Sequence, residues 1–478
     1  MDIKNRSIIK NYLLNATYQL FLLLVPLVTT PYISRILRAD GIGMYSYSNS
    51  IIYYFTVFAA LGTTMYGQRE VAKNQFDRKK QTGIFWEISI IKLFIGILCV
   101  CVNLILCLGI YGKYSLLMTI LTINIVAVFF DITFFFQGKE QYGRIVVRNV
   151  FVKSIGLISI LLFVKSADDV WKYTIINSMM VFVSNLSLWF YLPKALIKVD
   201  FRSLNPWSHV KKILLLFVPT IAVSVYTMVD KTLIGLILQC DAENGFYEQS
   251  EKIIKMCVML ITCLSTVMIS RNSSEYAEGK KDNLEKNIYF AARLVWLFST
   301  PMVFGMASIA ENMNLWFFGV GYTPVIKLIY AFCPLILVLG LNNVTGVQYL
   351  IATGKDRIFT MSVVSGAVIN VILNLILIKT IGTIGAVIAS VTAETCILGI
   401  QLMHIKSDIN IKKFLSMGWK NVIASLLMFL VLRLLFNNLN SSALNTICII
   451  GSGVLIYTIT LIGLRDKFIV DVIKKMRK

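Results

Sequence analysis

Histidine is almost missing from this chain, with His209 and His404 the only two in 478 residues, each standing alone in a polar loop. Zinc and most transition-metal sites draw on imidazole or on paired thiolates. The nine cysteines show no Cys-x-x-Cys spacing, and eight of them lie inside apolar runs, where they read as small core hydrophobes. No metal and no cofactor is therefore expected. Acidic residues are scarce too, 25 against 46 lysines and arginines, which argues against a carboxylate-lined site for cations. Glycine-rich phosphate loops, Ser/His/Asp arrangements and loops large enough to fold over a substrate are all lacking, so nothing supports an enzyme. Long polar stretches are lacking as well: the longest connections run to only about twenty residues, too few to hide a soluble domain.

What the chain does have is apolar length. Hydrophobic residues make up 57% of it and the mean hydropathy is +0.74, beyond the roughly 45–50% of a soluble domain. Runs long enough for spanning helices of ~17–25 residues fall near 12–37, 43–66, 84–108, 115–136, 145–164, 173–192, 213–238, 253–270, 288–310, 325–350, 358–378, 381–403, 421–436 and 444–464. The expected fold is an all-α integral membrane protein of about fourteen transmembrane helices. The first run has no small-residue cleavage site at its end and reads as an uncleaved span.

A net charge of +21 would fit a nucleic-acid binder if it were clustered, but it is distributed by topology. Of the 46 lysines and arginines, 31 fall on the N-terminus, every second loop and the C-terminal tail, and seven on the intervening loops. That is the positive-inside pattern. It predicts two cytoplasmic termini and no nucleic-acid partner.

The halves repeat. A shift of 202 positions aligns Gly43, Tyr45, Ser48, Ile51, Ile52, Thr64 and Arg69 with Gly245, Tyr247, Ser250, Ile253, Ile254, Thr266 and Arg271. Roughly two such identities would arise by chance over this length, and the match predicts a duplicated unit. Six spans per unit is an even number, so the copies keep one orientation and form a parallel repeat. The expected organisation is an N-lobe at 1–192, a linker at 193–212, a C-lobe at 213–403, and two extra helices with a basic tail at 404–478.

Ionisable residues inside spans are costly and mark pathways by default. Lys153 sits mid-span, Arg148 points inward from one end of the same run, and Arg35 and Lys231 occupy comparable portions of the first and seventh runs. These four are the candidate substrate-binding residues, suited to an anion such as a diphosphate. Lys255, Lys327 and Arg433 lie near span ends, from which long side chains reach the headgroups. Asp131, Asp230 and Glu394 either neutralise nearby bases or bind a coupling proton or Na⁺. Asn370 and Asn374 share one helix face and either join helices or hydrogen-bond a sugar.

Four segments carry a resemblance. PLVTTPYISRILRADGIGMYSYSNSI at 26–51, FAALGTTMYGQREVA at 58–72, FFFQGKEQYGRIVVRN at 134–149 and IGTIGAVIASVTAE at 381–394 resemble bacterial O-antigen, capsule and exopolysaccharide repeat-unit flippases. These are polysaccharide transporters of the multidrug/oligosaccharidyl-lipid/polysaccharide exporter superfamily. One departure is Arg38, where that family commonly has glycine. The resemblance implies translocation of undecaprenyl-diphosphate-linked oligosaccharide from the cytoplasmic to the outer leaflet of a bacterial plasma membrane, by alternating access. It also implies a polysaccharide polymerase and export machinery as partners beside the lipid bilayer. Two other readings are an antiporter of organic cations on the same architecture and a membrane enzyme that polymerises or ligates lipid-linked sugars. In-span bases outnumber in-span acids eight to four, which disfavours the first. The outward loops are short, which disfavours the second.

Overall fold

The computed structural model describes residues 3–74, 76–139, 141–192, 196–263, 265–436, 439–466 and 468–469. The regular structure among them is helical throughout. In order, the helices are α1 Ile3–Ala60, α2 Thr63–Lys73, α3 Arg78–Cys107, α4 Ser115–Phe129, α5 Thr133–Gly138, α6 Tyr142–Phe163, α7 Val170–Ser187, α8 Trp207–Leu238 and α9 Asp241–Thr262. Then follow α10 Ser265–Ala277, α11 Lys281–Phe317, α12 Thr323–Asn342, α13 Asp356–Ile381, α14 Thr383–Ile405, α15 Ile411–Ser416, α16 Trp419–Phe436 and α17 Ala443–Gly463. A π-helical stretch, Asn343–Ile351, continues α12.

Among the described residues ten segments are long and apolar enough to cross a membrane, from Arg78–Cys107 to Ala443–Gly463. The runs expected at 12–37 and 43–66 share α1, and those at 213–238 and 253–270 fall on α8 and on α9 with α10; these are not among the ten. Outward-facing side chains such as Leu434 and Leu444 are 84% and 72% exposed. Apolar faces of that kind need hydrocarbon around them. The chain is a multi-pass membrane protein. Most of the basic tail lies outside the described residues.

α1 is two helices joined at Arg38, whose φ of 56° and ψ of −179° are not helical. Leu61 and Gly62 also take positive φ, 45° and 70°, and end the run that the sequence carries on to residue 66. The same interruption recurs one repeat later: helix stops at Ala60 and at Thr262, and resumes at Thr63 and at Ser265. Both stops and both restarts are 202 positions apart, the offset of the sequence repeat.

The chain divides into two compact units, Met1–Gly235 with Cys240–Gly245, and Leu236–Gln239 with Phe246–Lys478. In the first unit, Phe85, Phe134, Phe135 and Phe136 are fully buried in one cluster with Ile88 and Val71. Lys92, 1% exposed, gives its ammonium to the Asp131 carbonyl at 2.7 Å and lies 5.0 Å from the centre of the Phe134 ring. Gly43 and its repeat counterpart Gly245 permit two close backbone approaches. A Cβ on Gly43 would come 1.7 Å from the Asp241 carbonyl oxygen, and one on Gly245 would come 2.0 Å from that of Ala39. The Asp241 carboxylate accepts from Lys113 at 2.6 Å and Tyr114 at 2.7 Å.

His209 is not isolated. Its ring nitrogens lie 2.7 Å from Glu87 Oε2 and 2.6 Å from the Tyr66 hydroxyl, and Glu87 Oε1 also accepts from the Asn205 amide at 2.8 Å. A capping box closes the 3-10 turn Ala167–Asp169 that leads into α7: Asp169 Oδ2 accepts from the amides of Lys165 and Ser166 at 2.8 and 2.9 Å. Its other oxygen pairs with Lys172 at 2.7 Å.

In the second unit, Ile288, Ala292, Val344, Leu350 and Phe414 form the centre of the core. Arg293 pairs with buried Asp466 and also donates to Asn421 Oδ1 at 2.6 Å, tying α11 to α16 and the end of α17. Arg433 does more than reach for headgroups. It makes a two-pronged contact with Glu311 at 2.9 and 3.1 Å and donates to the Tyr330 hydroxyl at 2.8 Å. Lys255 pairs with Glu251 one turn away at 2.6 Å.

Candidate functional site

The site lies in the first unit and is built mainly by α6 and α7. Along α6, Asn149, Lys153, Leu157 and Ile160 follow the three-to-four spacing that puts side chains on one face. Along α7, Tyr173, Asn177, Val181, Ser184 and Asn185 do the same. These faces, with Thr29 and Ile33 of α1, Tyr45 and Asn49 beyond its break, and Asn124 of α4, line a cavity of about 540 Å³. Arg148 and Lys153 both line it, and its described lining includes no carboxylate.

Hydrogen bonds between helices fix the walls. The Tyr32 hydroxyl donates to the Val164 carbonyl at 2.7 Å, fastening α1 to the end of α6. Asn185 Nδ2 donates to the Ala127 carbonyl at 2.9 Å, fastening α7 to α4. Asn149 Oδ1 organises one corner: it accepts from Arg148 Nε at 3.1 Å, from Arg148 Nη2 at 2.7 Å and from Ser184 Oγ at 3.1 Å. The Arg148 guanidinium is thereby oriented by a neutral group, and that contact leaves its charge in place. Lys153 Nζ makes no hydrogen bond or ion pair among the described residues. Asn124 Oδ1 is buried without a hydrogen-bond partner among them. The cavity therefore offers an anion two cationic donors and offers hydroxyls a set of carboxamides.

Of the four bases singled out in the sequence, the structure brings together Arg148 and Lys153. Arg35 is exposed on α1 and does not line this cavity. Lys231 is buried beside Asp230 in α8, also away from it, and its carbonyl accepts from Asn244 Nδ2 at 2.7 Å. Asp131 lies just before α5, where its Oδ1 accepts from the Thr133 amide at 3.0 Å. Glu394, 8% exposed in the second unit, accepts from Asn342 Nδ2. Asn370 and Asn374 are fully buried in α13. Asn370 donates to Ser390 Oγ of α14 at 3.2 Å and accepts from Asn374 at 3.0 Å, which joins the two helices. The asparagines at 49, 124, 149, 177 and 185 went unremarked in the sequence. The polar stripe at 177, 184 and 185 in an apolar run is the signal that would have found them.

The profile of a family described as polysaccharide biosynthesis protein matches residues 8–271, more than half of the chain. The chain belongs to that family. Two similar proteins are provisionally named O-antigen transporters. The one from Escherichia coli K12 is 22% identical over 421 residues, covering 85% of this chain and 99% of its own. The one from Shigella dysenteriae is 22% identical over 392 residues, covering 80% and 96%. Among solved structures, the lipid II flippase MurJ in an inward closed conformation superposes with a TM-score of 0.76 at 15% identity, over 95% of this chain and all of that one. An inward-facing multidrug resistance MATE family transporter of the MOP superfamily gives 0.62 at 14% identity, over 81% of this chain and 98% of that one. At such identities the structural likeness establishes the fold of this family member and no more.

Proposed function

We propose that this polysaccharide biosynthesis protein is a flippase. It carries undecaprenyl-diphosphate-linked oligosaccharide repeat units from the cytoplasmic to the outer leaflet of a bacterial plasma membrane, by exposing its cavity alternately to either side. The observation that carries this reading is a cavity among spanning helices that holds two bases, five asparagines and no described carboxylate. Sugars and a diphosphate cannot cross ~30 Å of hydrocarbon unaided. Arg148 and Lys153 suit the diphosphate, and the carboxamides suit sugar hydroxyls. An inside-negative potential favours outward movement of an anion by about 2.3 kcal/mol per charge per 100 mV, so a diphosphate of charge near −2 supplies its own drive. The names given to the relatives support the same reading. Fourteen spans, two cytoplasmic termini and the lobes at 1–192 and 213–403 belong to this proposal, as does supply of the flipped units to a polymerase.

The likeness to a multidrug transporter extends to the fold. A cavity for organic cations calls for carboxylates, and this one is lined by bases.

The test is a flipping assay in proteoliposomes with a defined lipid-linked oligosaccharide, run on Lys153→Gln, Lys153→Arg and, as a control, Lys327→Gln at the exposed start of α12. A charge-assisted hydrogen bond to an anion contributes roughly 1.5–3 kcal/mol, so Lys153→Gln should slow flipping at least tenfold. Lys153→Arg should keep part of the rate, since the charge remains and the geometry changes. Normal flipping by Lys153→Gln, or equal loss in Lys327→Gln, would sink the cationic site.

A further inference from the structure

A second cavity adjoins the polar one across α6. It has a volume of about 600 Å³ and is walled by the opposite face of α6, including Phe151 and Ile155, and by Met179 and Val183 of α7. Arg148, Val152 and Met180 line both cavities. We infer that this groove seats the polyprenyl chain of the substrate, while Arg148 at the shared edge holds the diphosphate. The inference rests on the flippase reading and adds to it where the hydrophobic part of the cargo sits.

Three observations carry it. First, α6 works as a partition. Asn149 and Lys153 look into the polar cavity, whereas Phe151 and Ile155 look into the groove. From Val147 to Ser159 the partition presents roughly 18 Å of groove wall at 1.5 Å per residue. Second, the groove opens outward to hydrocarbon: Phe151 and Val183 are 66% and 46% exposed. A long chain could lie in it and continue into the bilayer. Third, Gly156 lets α7 lie close. A Cβ there would stand 1.7 Å from Met180 Sδ, so the absent side chain makes room for a flexible thioether on the floor common to both cavities.

An apolar groove alone would suit any lipid. What selects a polyprenyl diphosphate is the guanidinium on its rim, continuous with a cavity built for sugars. The occupant must have an anionic centre at the junction, a hydroxyl-rich head on one side of α6 and a long hydrocarbon on the other. A glycerophospholipid meets the first and last conditions and leaves the polar cavity unused.

The full-length protein in nanodiscs is titrated with two probes bearing the same head, undecaprenyl diphosphate and geranyl diphosphate, read by native mass spectrometry. A third arm adds phosphatidylglycerol as competitor. The groove is filled with the double variant Ile155→Trp/Val183→Trp, both positions being partly exposed to lipid. Leu98→Trp, on the exposed face of α3, is the control. The wild type should bind the long chain at least tenfold more tightly than the short one. The groove-filled variant should lose that preference while keeping the affinity for geranyl diphosphate, which also shows that it is folded. Leu98→Trp should behave as wild type. Retention of the preference in the groove-filled variant, its absence in the wild type, or full displacement of the long chain by equimolar phosphatidylglycerol each overturns the groove assignment. In those cases binding of the short probe still upholds the flippase reading. Failure of the wild type to bind either diphosphate overturns both.

Discussion

Replacing Arg38 by glycine should make the protein more stable. Arg38 joins the two arms of α1 with φ 56° and ψ −179°, a region of backbone space that glycine occupies freely and that costs a residue with a Cβ about 1–3 kcal/mol. Glycine adds freedom to the unfolded chain worth roughly 0.5–1 kcal/mol. The net gain is then about 0.5–2 kcal/mol, and the exposed side chain gives up little packing. At roughly 2–4 °C per kcal/mol for a unit of 150–250 residues, the midpoint should rise by a few degrees. The measurement is loss of monodisperse protein on heating in detergent, followed by size exclusion of a fluorescent fusion at one fixed scan rate, because unfolding of such proteins is seldom reversible. Arg38→Ala separates strain from charge: it removes the guanidinium and keeps the Cβ. If Arg38→Ala stabilises as much as Arg38→Gly, the effect is electrostatic and the backbone argument is wrong. A lower midpoint for Arg38→Gly refutes it outright.

Three further outcomes follow from the geometry. Gly43→Ala should lower the yield of folded protein sharply in the same heating assay, because its methyl would meet the Asp241 carbonyl at 1.7 Å; a neutral result would mean that this approach is loose. Arg293→Met leaves Asp466 buried without its partner and should cost about 3 kcal/mol or more, with Arg293→Met/Asp466→Leu recovering part of the loss; equal damage in the double variant would show that the arginine acts through its other hydrogen bonds. The Asp169 carboxylate pairs with Lys172 and accepts from two amides, contacts that weaken once the carboxyl is protonated. Asp169→Asn should therefore lower the midpoint at pH 7, and the gap to wild type should shrink as pH approaches 3; a gap that stays constant with pH would remove the charge from the explanation.

How much could be read from the sequence depended on the range of each signal. The apolar runs fall mostly on helix, because hydrophobic length is a local property, while breaks such as that at Leu61 and Gly62 leave no mark in it. The 202-residue offset survives down to the places where helices stop, since a chain that repeats its sequence repeats its breaks. Lys153 and Arg148 meet in one cavity because five residues along a helix keep them close. Arg35 and Lys231 do not line that cavity, and spacing along one helix could not say so, because it does not encode which neighbour a helix face meets. His209 was read as standing alone in a loop; its 2.7 Å contact with Glu87 joins positions 122 apart. The cavity asparagines escaped notice for a different reason. Charge in hydrocarbon draws attention, and a neutral amide does not.

The lining of the polar cavity bears on how such a protein adapts. A carboxamide carries a donor and an acceptor at opposite ends of one planar group and can turn over without moving the backbone. Asn49 and Asn124, which no hydrogen bond holds to the walls among the described residues, face that space and would satisfy an axial hydroxyl about as readily as an equatorial one. Epimers and swapped residues in the glycan would then pass with little penalty, while loss of the diphosphate would not be forgiven. Selection for a new surface antigen could in that case alter the enzymes that assemble the glycan and leave this cavity almost untouched.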